Sequence, residues 1–251
     1  DRVVASSRSG TPIAAAALAG SHAALAYLAS RKTTEGWVSE AWLACDDDPP
    51  QRLSEDGSGA TAVAMVPRAP ALLALIVDAR AALTALHARP VRYEQRLSLG
   101  EDAVVFVGGP GDHRTRAALA VPKDGPSWAL LPIAKDVGSF GLATVRVDDP
   151  PRVDEPVVWS MYPNGLDPAP VAAVSAAHAW VARVRPRESE PGSQKMLELG
   201  EIDAAGAFVA RDPIPTLGAP SDVAMVADAQ GALWVSWLDP SGSWLERLAC
   251  R

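Results

Sequence analysis

Residues 12–30 read PIAAAALAGSHAALAYLAS. Ala and Leu head the helix-propensity scale, so the stretch taken alone reads as a helix over 13–30. A repeat overrides that reading, because period is a stronger guide to fold than local propensity. The same plan of apolar block, turn-like interruption and second apolar block returns in AVAMVPRAPALLALIVD from Ala62 and AVVFVGGPGDHRTRAALAVPKD from Ala103. It returns again in PVAAVSAAHAWVARVRP from Pro170 and DVAMVADAQGALWVSWLD from Asp222. Ile13, Val63, Val104, Val171 and Val223 head the first blocks, and a small residue marks the second: Ala26, Ala74, Ala120, Ala182 and Ser236. Apolar blocks of four to eight residues are too short for independent helices, and Pro67-Arg68-Ala69-Pro70 or Gly108-Gly109-Pro110-Gly111 would break a continuous one. The repeat therefore predicts pairs of buried strands.

A third apolar block follows each pair: Trp37–Ala44, Ala82–Ala88, Trp128–Ala134, Met196–Leu199 and Trp244–Ala249. A weaker fourth strand is predicted at Gln51–Ser54, Gln95–Ser98, Gly141–Val147 and Phe208–Ile214, the first two sharing the tetrapeptide QRLS. Four antiparallel strands per repeat, repeated radially, predict an all-β single domain over 1–251, a five-bladed β-propeller. Its blades span 11–54, 61–98, 102–162, 169–214, and 221–251 plus 1–7. The last repeat runs out after three strands, so the N-terminal strand Arg2–Ser6 is predicted to complete the last blade. A six-bladed ring is the alternative if Glu155–Tyr162 opens a further blade, since the marker step from Ala120 to Ala182 is the longest; the segment is read here as an outer strand plus insertion.

The pattern resembles five-bladed β-propellers over essentially the whole chain, through apolar periodicity alone. None of the WD dipeptide, the kelch double-glycine pattern and the Ser-x-Asp-x-Gly-x-x-Trp box is intact. The resemblance implies either a glycoside hydrolase or a sugar-binding lectin, since both occupy this architecture and fold does not choose between them.

Composition narrows the function classes. A hydrophobic share of 48% in 251 residues supplies a core, and a net charge of −7 argues against a phosphate-tracking nucleic-acid surface. No run of about 20 apolar residues predicts a membrane-spanning helix. No nucleophile elbow, P-loop or dinucleotide fingerprint occurs, and neither a metal nor an organic cofactor is predicted. The triplet Asp46-Asp47-Asp48 lacks the spacing of a calcium loop and reads as a solvated turn. Cys45 and Cys250 form the disulfide candidate; a bond there would close a loop of ~200 residues, worth roughly 5 kcal/mol in the chain-entropy picture. Both cysteines end similar third strands, so bonding requires the C-terminal tail to leave its register.

Five carboxylates are the catalytic candidates if the chain is an enzyme: Asp56, Asp102, Asp167 and Asp222, each upstream of a predicted innermost strand, and Glu155. Glycosidic acid/base chemistry needs two such groups roughly 5 to 9.5 Å apart. Against that stands turn chemistry, which by itself favours Asp in loops. Trp159 and Tyr162 precede the turn Pro163-Asn164-Gly165 and are the candidate binding aromatics, with His113 beside them; the other Trp residues read as packing between blades. His22 and His178 occupy equivalent places ahead of second strands and read as turn residues. With no catalytic motif in view, the leading expectation is a non-catalytic binding or scaffold propeller, extracytoplasmic, with a protein or glycan partner. The alternative is a glycosidase-like hydrolase using axial carboxylates.

Overall fold

The structure is a computed structural model. It describes residues 13–17, 22–46, 48–68, 71–78, 83–94, 96–110, 118–122, 126–136, 139–147, 157–163, 171–175, 178–186, 195–211, 213–218, 220–228 and 230–248. The opening stretch is two strands, β1 (Ile13–Ala17) and β2 (Ala23–Lys32), paired antiparallel with Ile13 opposite Tyr27 and Ala17 opposite Ala23. Ala24, Ala26 and Leu28 lie two residues apart on one buried face, so alternation and not the 3.6-residue period organises this Ala-rich chain. With β3 (Trp37–Cys45) and β4 (Gln51–Arg52) they complete the first sheet in sequential order.

The second sheet holds β5 (Ala62–Arg68), β6 (Ala71–Asp78), β7 (Leu83–Tyr93) and β8 (Leu97–Leu99). The third holds β10 (Ala118–Ala120), β11 (Ser127–Asp136), β12 (Ser139–Val147) and β13 (Val157–Pro163). The fourth holds β14 (Val171–Ser175), β15 (His178–Pro186), β16 (Lys195–Ile202) and β17 (Phe208–Ala210). The fifth holds β18 (Ser221–Ala227), β19 (Leu233–Asp239) and β20 (Gly242–Leu248). Five successive antiparallel sheets, with no helix among the described residues, make this an all-β five-bladed β-propeller. The N-terminal strand predicted to complete the last blade lies outside the described residues.

One boundary differs from expectation. Ala103–Pro110, predicted as the innermost strand of the third blade, is β9, and it pairs with β7 in the second sheet, Phe106 opposite Leu86 and Val104 opposite His87. β7 is 11 residues long and has room along one edge for both β8 and β9, which follow one another as an interrupted outer strand. Gly100 sits at the interruption, where its amide donates to the Pro90 carbonyl at 2.8 Å and an added Cβ would meet the Pro90 ring at 3.1 Å. The third sheet shifts accordingly: Trp128–Ala134 is its second strand, Gly141–Val147 its third, and Val157–Pro163 joins it as the fourth, opening no sixth sheet among the described residues.

The chain divides into two compact units, Asp1–His113 and Arg114–Arg251. In the first, β1 and β5 lie side by side and a core of Ala24, Ala26, Leu43, Val63, Ala74 and Ile76 fills the space between the two sheets. Ala26 and Ala74 thus face one another from opposite sheets, so the small-residue marker does not repeat on one face. In the second unit β14 lies between β10 and β18. Leu130 meets Val181 in one core, and Ala182 and Leu197 meet Val235 and Trp237 in the next. Each such buried Leu, Ile or Val side chain contributes ~1.5 to 3 kcal/mol.

Two hairpins share one turn. In Asp203–Ala207 and Asp228–Ala232 the aspartate Oδ1 accepts two backbone amides, from Ala205 and Ala207 and from Gln230 and Ala232, at 2.9 to 3.0 Å. The glycines, Gly206 at φ 87° and Gly231 at φ 84°, supply the left-handed residue that closes each turn.

Candidate functional site

The five candidate carboxylates meet different fates. Asp56 lies in the turn after β4, where Arg31 and Arg52 both donate to its Oδ1, the latter at 3.0 Å. The same guanidinium groups reach the buried Glu40 at 3.0 and 3.4 Å, and the Gly57 amide donates to Glu40 Oε1 at 3.2 Å. Burial opposes the Glu40 charge, and Arg31 and the Gly57 amide outweigh it, leaving its pKa below the usual carboxylate range. Two arginines between two carboxylates form a closed ion-pair network, a clasp for the Asp56-Gly57 turn.

Asp102 sits in the link between β8 and β9, at the outer edge of the second sheet, and not at an innermost strand. Its Oδ2 lies 3.0 Å from His87 Nδ1 on β7, and His87 Nε2 faces Asp78 Oδ2 on β6 at 3.4 Å. The imidazole is 3% exposed and Asp78 fully enclosed. Burial alone would lower the His87 pKa; the hydrogen bond His87 donates to Asp102 and the pairing with Asp78 more than reverse it and hold it at about 9. His87 is therefore an imidazolium at neutral pH, with both nitrogens turned to carboxylates and no lone pair to offer a metal or a substrate proton. Arg89, two residues along β7, donates to the Gly100 carbonyl at 3.0 Å and to Leu53 at 2.9 Å, tying the same link down again.

Asp222 differs from both. It stands near the start of β18, the first strand of its sheet, where the pairing with β19 shifts register between Ser221 and Ala224. It is exposed and holds φ 47°, one of two non-glycine left-handed residues among those described, the other being Asp46. A bulged, left-handed aspartate costs backbone energy of order 1 kcal/mol and turns its side chain out of the regular pleat. The Ser221 hydroxyl donates to its Oδ2 at 3.3 Å. Asp167 and Glu155 lie outside the described residues. In sequence, Asp167 stands four residues ahead of β14, the first strand beside β18, and Glu155 stands two ahead of β13, the fourth strand of its sheet.

The remaining candidates divide similarly. The backbones of Trp159 and Tyr162 lie within β13, opposite Leu142 and Phe140, so they belong to an edge strand and not to a loop insertion. His113 lies outside the described residues. His22 pairs through Nδ1 with Asp46 and stacks on Tyr93 with ring centroids 4.0 Å apart, while His178 pairs through Nδ1 with Glu201. Each ties the start of a second strand to the end of a third, so the equivalent histidines are hairpin clasps. The triplet turn is structural too, since Asp48 Oδ2 accepts the Leu97 amide at 2.9 Å. Cys45 is a free, buried thiol in this structure; burial first, then Asp46 and Asp48, push the thiol pKa up to about 11. Cys250 itself lies outside the described residues.

Sequence reading passed over Asp78 and His87. The signal was there: each is a lone titratable group in an apolar run, ALLALIVD and LTALHA, where a charge survives only when paired. It also passed over the end of the fifth sheet that surrounds Asp222. There Trp237 and Trp244 are direct cross-strand partners with rings 6.4 Å apart and 17° from parallel. Asp239 accepts the Ser241 amide at 2.8 Å and the Leu217 amide at 3.2 Å. The Ser241 hydroxyl, then the Trp244 indole and these amides, hold the Asp239 pKa at about 2.

No protein-family pattern matches the sequence, and no characterised protein matches it either. Solved structures do. An endo-arabinase from Bacteroides thetaiotaomicron superposes with a TM-score of 0.50 at 8% identity, over 92% of this chain and 90% of that one. A thermostable family-43 glycoside hydrolase gives 0.51 at 10% identity, over 95% and 89%. Puromycin hydrolase gives 0.52 at 16% identity over 97% of this chain, but over 40% of its own length. The first two are an arabinase and a glycoside hydrolase by name, and this overturns the expectation of a non-catalytic binding or scaffold module as the main reading. In fold, the chain is similar to the five-bladed β-propellers of arabinanase-type glycoside hydrolases.

Proposed function

We propose that this chain is a glycosidase-like hydrolase that acts on a glycan, with Asp222 as one of its two working carboxylates. The observation that carries the reading is Asp222 itself: an exposed carboxylate in left-handed backbone, at a bulge, on the first strand of its sheet. Asp56 and Asp102 are each committed to guanidinium or imidazolium partners, whereas Asp222 is offered to solvent. Asp167 is the second carboxylate of the proposal, because it precedes the neighbouring first strand β14 as Asp222 begins β18. In such chemistry one carboxylic acid protonates the leaving glycosidic oxygen, and the other carboxylate attacks the anomeric carbon or activates a water. The likeness in fold to glycoside hydrolases supports the reaction class, and with it an extracytoplasmic setting where polymeric glycans are met.

The test is hydrolysis of a panel of neutral plant-type oligosaccharides and polysaccharides, arabinan first, by the wild-type chain and by D222N and D167N. Reducing-sugar release by the wild type and its loss in both variants is the expected result. Turnover unchanged in D222N would remove the proposal.

A further inference from the structure

We propose that Trp244 is the aromatic platform of a glycan subsite beside Asp222, so that the fifth sheet binds a neutral sugar chain laid across its strands. This rests on the glycan reading above and adds to it where the chain lies and what kind of chain it is.

The register supplies the geometry. Ser221 is opposite Leu238, which is opposite Ser243, and one step inward Trp237 is opposite Trp244. The register shift between Ser221 and Ala224 leaves Asp222 and Val223 at the level of Trp237. Asp222, Trp237 and Trp244 therefore form one row across β18, β19 and β20 at the same end of the sheet. Neighbouring strands are about 4.8 Å apart, so the row spans roughly 10 Å between the outer backbones. A ligand touching both Asp222 and Trp244 needs more than one sugar ring.

Trp244 has the properties of a platform. It is 40% exposed, while its stacking partner Trp237 is 5% exposed and packs in the core with Val223 and Met225. The indole lies close enough to Asp239 to help hold that carboxylate charged, and its ring is backed by Trp237. A preorganised aromatic face loses little rotamer freedom on binding, and the apolar C–H face of a sugar ring matches it. Leu217, 75% exposed, is fixed beside it because its amide also donates to Asp239.

The polar groups around the row select the ligand. Ser221, Ser241 and Ser243 offer hydroxyls, Asp222 and Asp239 are carboxylates, and no Lys or Arg belongs to 213–218, 220–223 or 237–244. Hydroxyl-rich, uncharged sugars suit this set, whereas a uronate or sulfated chain would meet like charge.

The experiment uses D222N, in which turnover is blocked, as the parent for calorimetric titration with neutral arabino-oligosaccharides, a disaccharide and a hexasaccharide. Adding W244A is expected to weaken hexasaccharide binding about tenfold and leave the disaccharide little changed. Adding W244F, which keeps a ring against Trp237, is expected to restore most of the loss and to show that the hairpin still folds. Equal hexasaccharide affinity with and without Trp244 overturns the subsite even if the wild type hydrolyses glycans; so does tighter binding of an oligogalacturonate. If the wild type hydrolyses nothing in the panel while Trp244-dependent binding persists, the catalytic reading falls and the subsite stands. Absence of any binding overturns the subsite whatever the turnover.

Discussion

The second and fifth sheets both carry aspartates at strand ends, and they use them in opposite ways. Around His87 the charges close upon one another: Asp78 and Asp102 flank a buried imidazolium, and Arg89 pins the same link to two carbonyls. At the end of the fifth sheet, Asp239 is spent on two amides and the Ser241 hydroxyl, but Asp222 stands in solvent on strained backbone. A carboxylate whose acceptors are filled by its own protein stabilises the fold; one left open beside a fixed aromatic is available to a ligand. Sequence position relative to a strand does not separate the two, since Asp102 and Asp222 look alike there.

The sharpest break of this contrast is a matched pair of substitutions. D222N preserves shape and tolerates the left-handed conformation, and is expected to lower glycan hydrolysis by about a thousandfold, ~4 kcal/mol in the barrier, with an unchanged melting curve. D102N should leave turnover within about twofold of wild type. Reversal of that order in a kinetic assay would exchange the roles assigned to the two sheets. Next in size is D78N, which leaves His87 with a single carboxylate partner; urea unfolding is expected to show a loss of about 3 kcal/mol, at the low end for breaking a buried pair. A loss under 1 kcal/mol would mean that the imidazolium is not the partner it is described as.

The pH dependence follows from the same cluster. Folding raises the His87 pKa from an ordinary value near 6.5 to about 9. The stabilisation it gives is thus complete below about pH 6.5 and is lost as pH rises through about 9, amounting to roughly 3 kcal/mol. Stability measured from pH 6 to 10 is expected to fall across that window in the wild type and to stay flatter in H87Q. Parallel curves would refute the assignment. The smallest effect belongs to the exposed part of the Asp56 clasp: D56N should cost under about 1 kcal/mol, and that loss should shrink in high salt.

Much of the fold was legible in the sequence because apolar blocks and turn residues repeat together. Residues 13–30 were misleading only one at a time; Gly20 to His22 and four sister segments outvote the helix propensity of Ala. What escaped was the second sheet's outer edge. Ala103–Val107 has the composition of an innermost strand, and nothing local reveals that β7 is long enough to take it as an outer one. The same mistake carried Asp102 inward. Nor could periodicity show that Ala26 and Ala74 face each other, since alternation fixes a side but not which neighbour lies there. At the candidate site, Asp222 was visible as an aspartate ahead of a strand, but its bulge and backbone angle, which distinguish it from Asp102, depend on pairing with β19.

The two hairpin loops of the fifth sheet fix how the row of Asp222, Trp237 and Trp244 is assembled. Asp228–Ala232 joins β18 to β19, and Asp239–Gly242 joins β19 to β20. Each closes over a handful of residues, so its hairpin can form on a microsecond timescale without waiting for any distant partner. A slip of one residue in either hairpin would turn every side chain of a strand to the other face. Two short, self-sufficient loops thus act as the jig in which Asp222, Trp237 and Trp244 are brought into line.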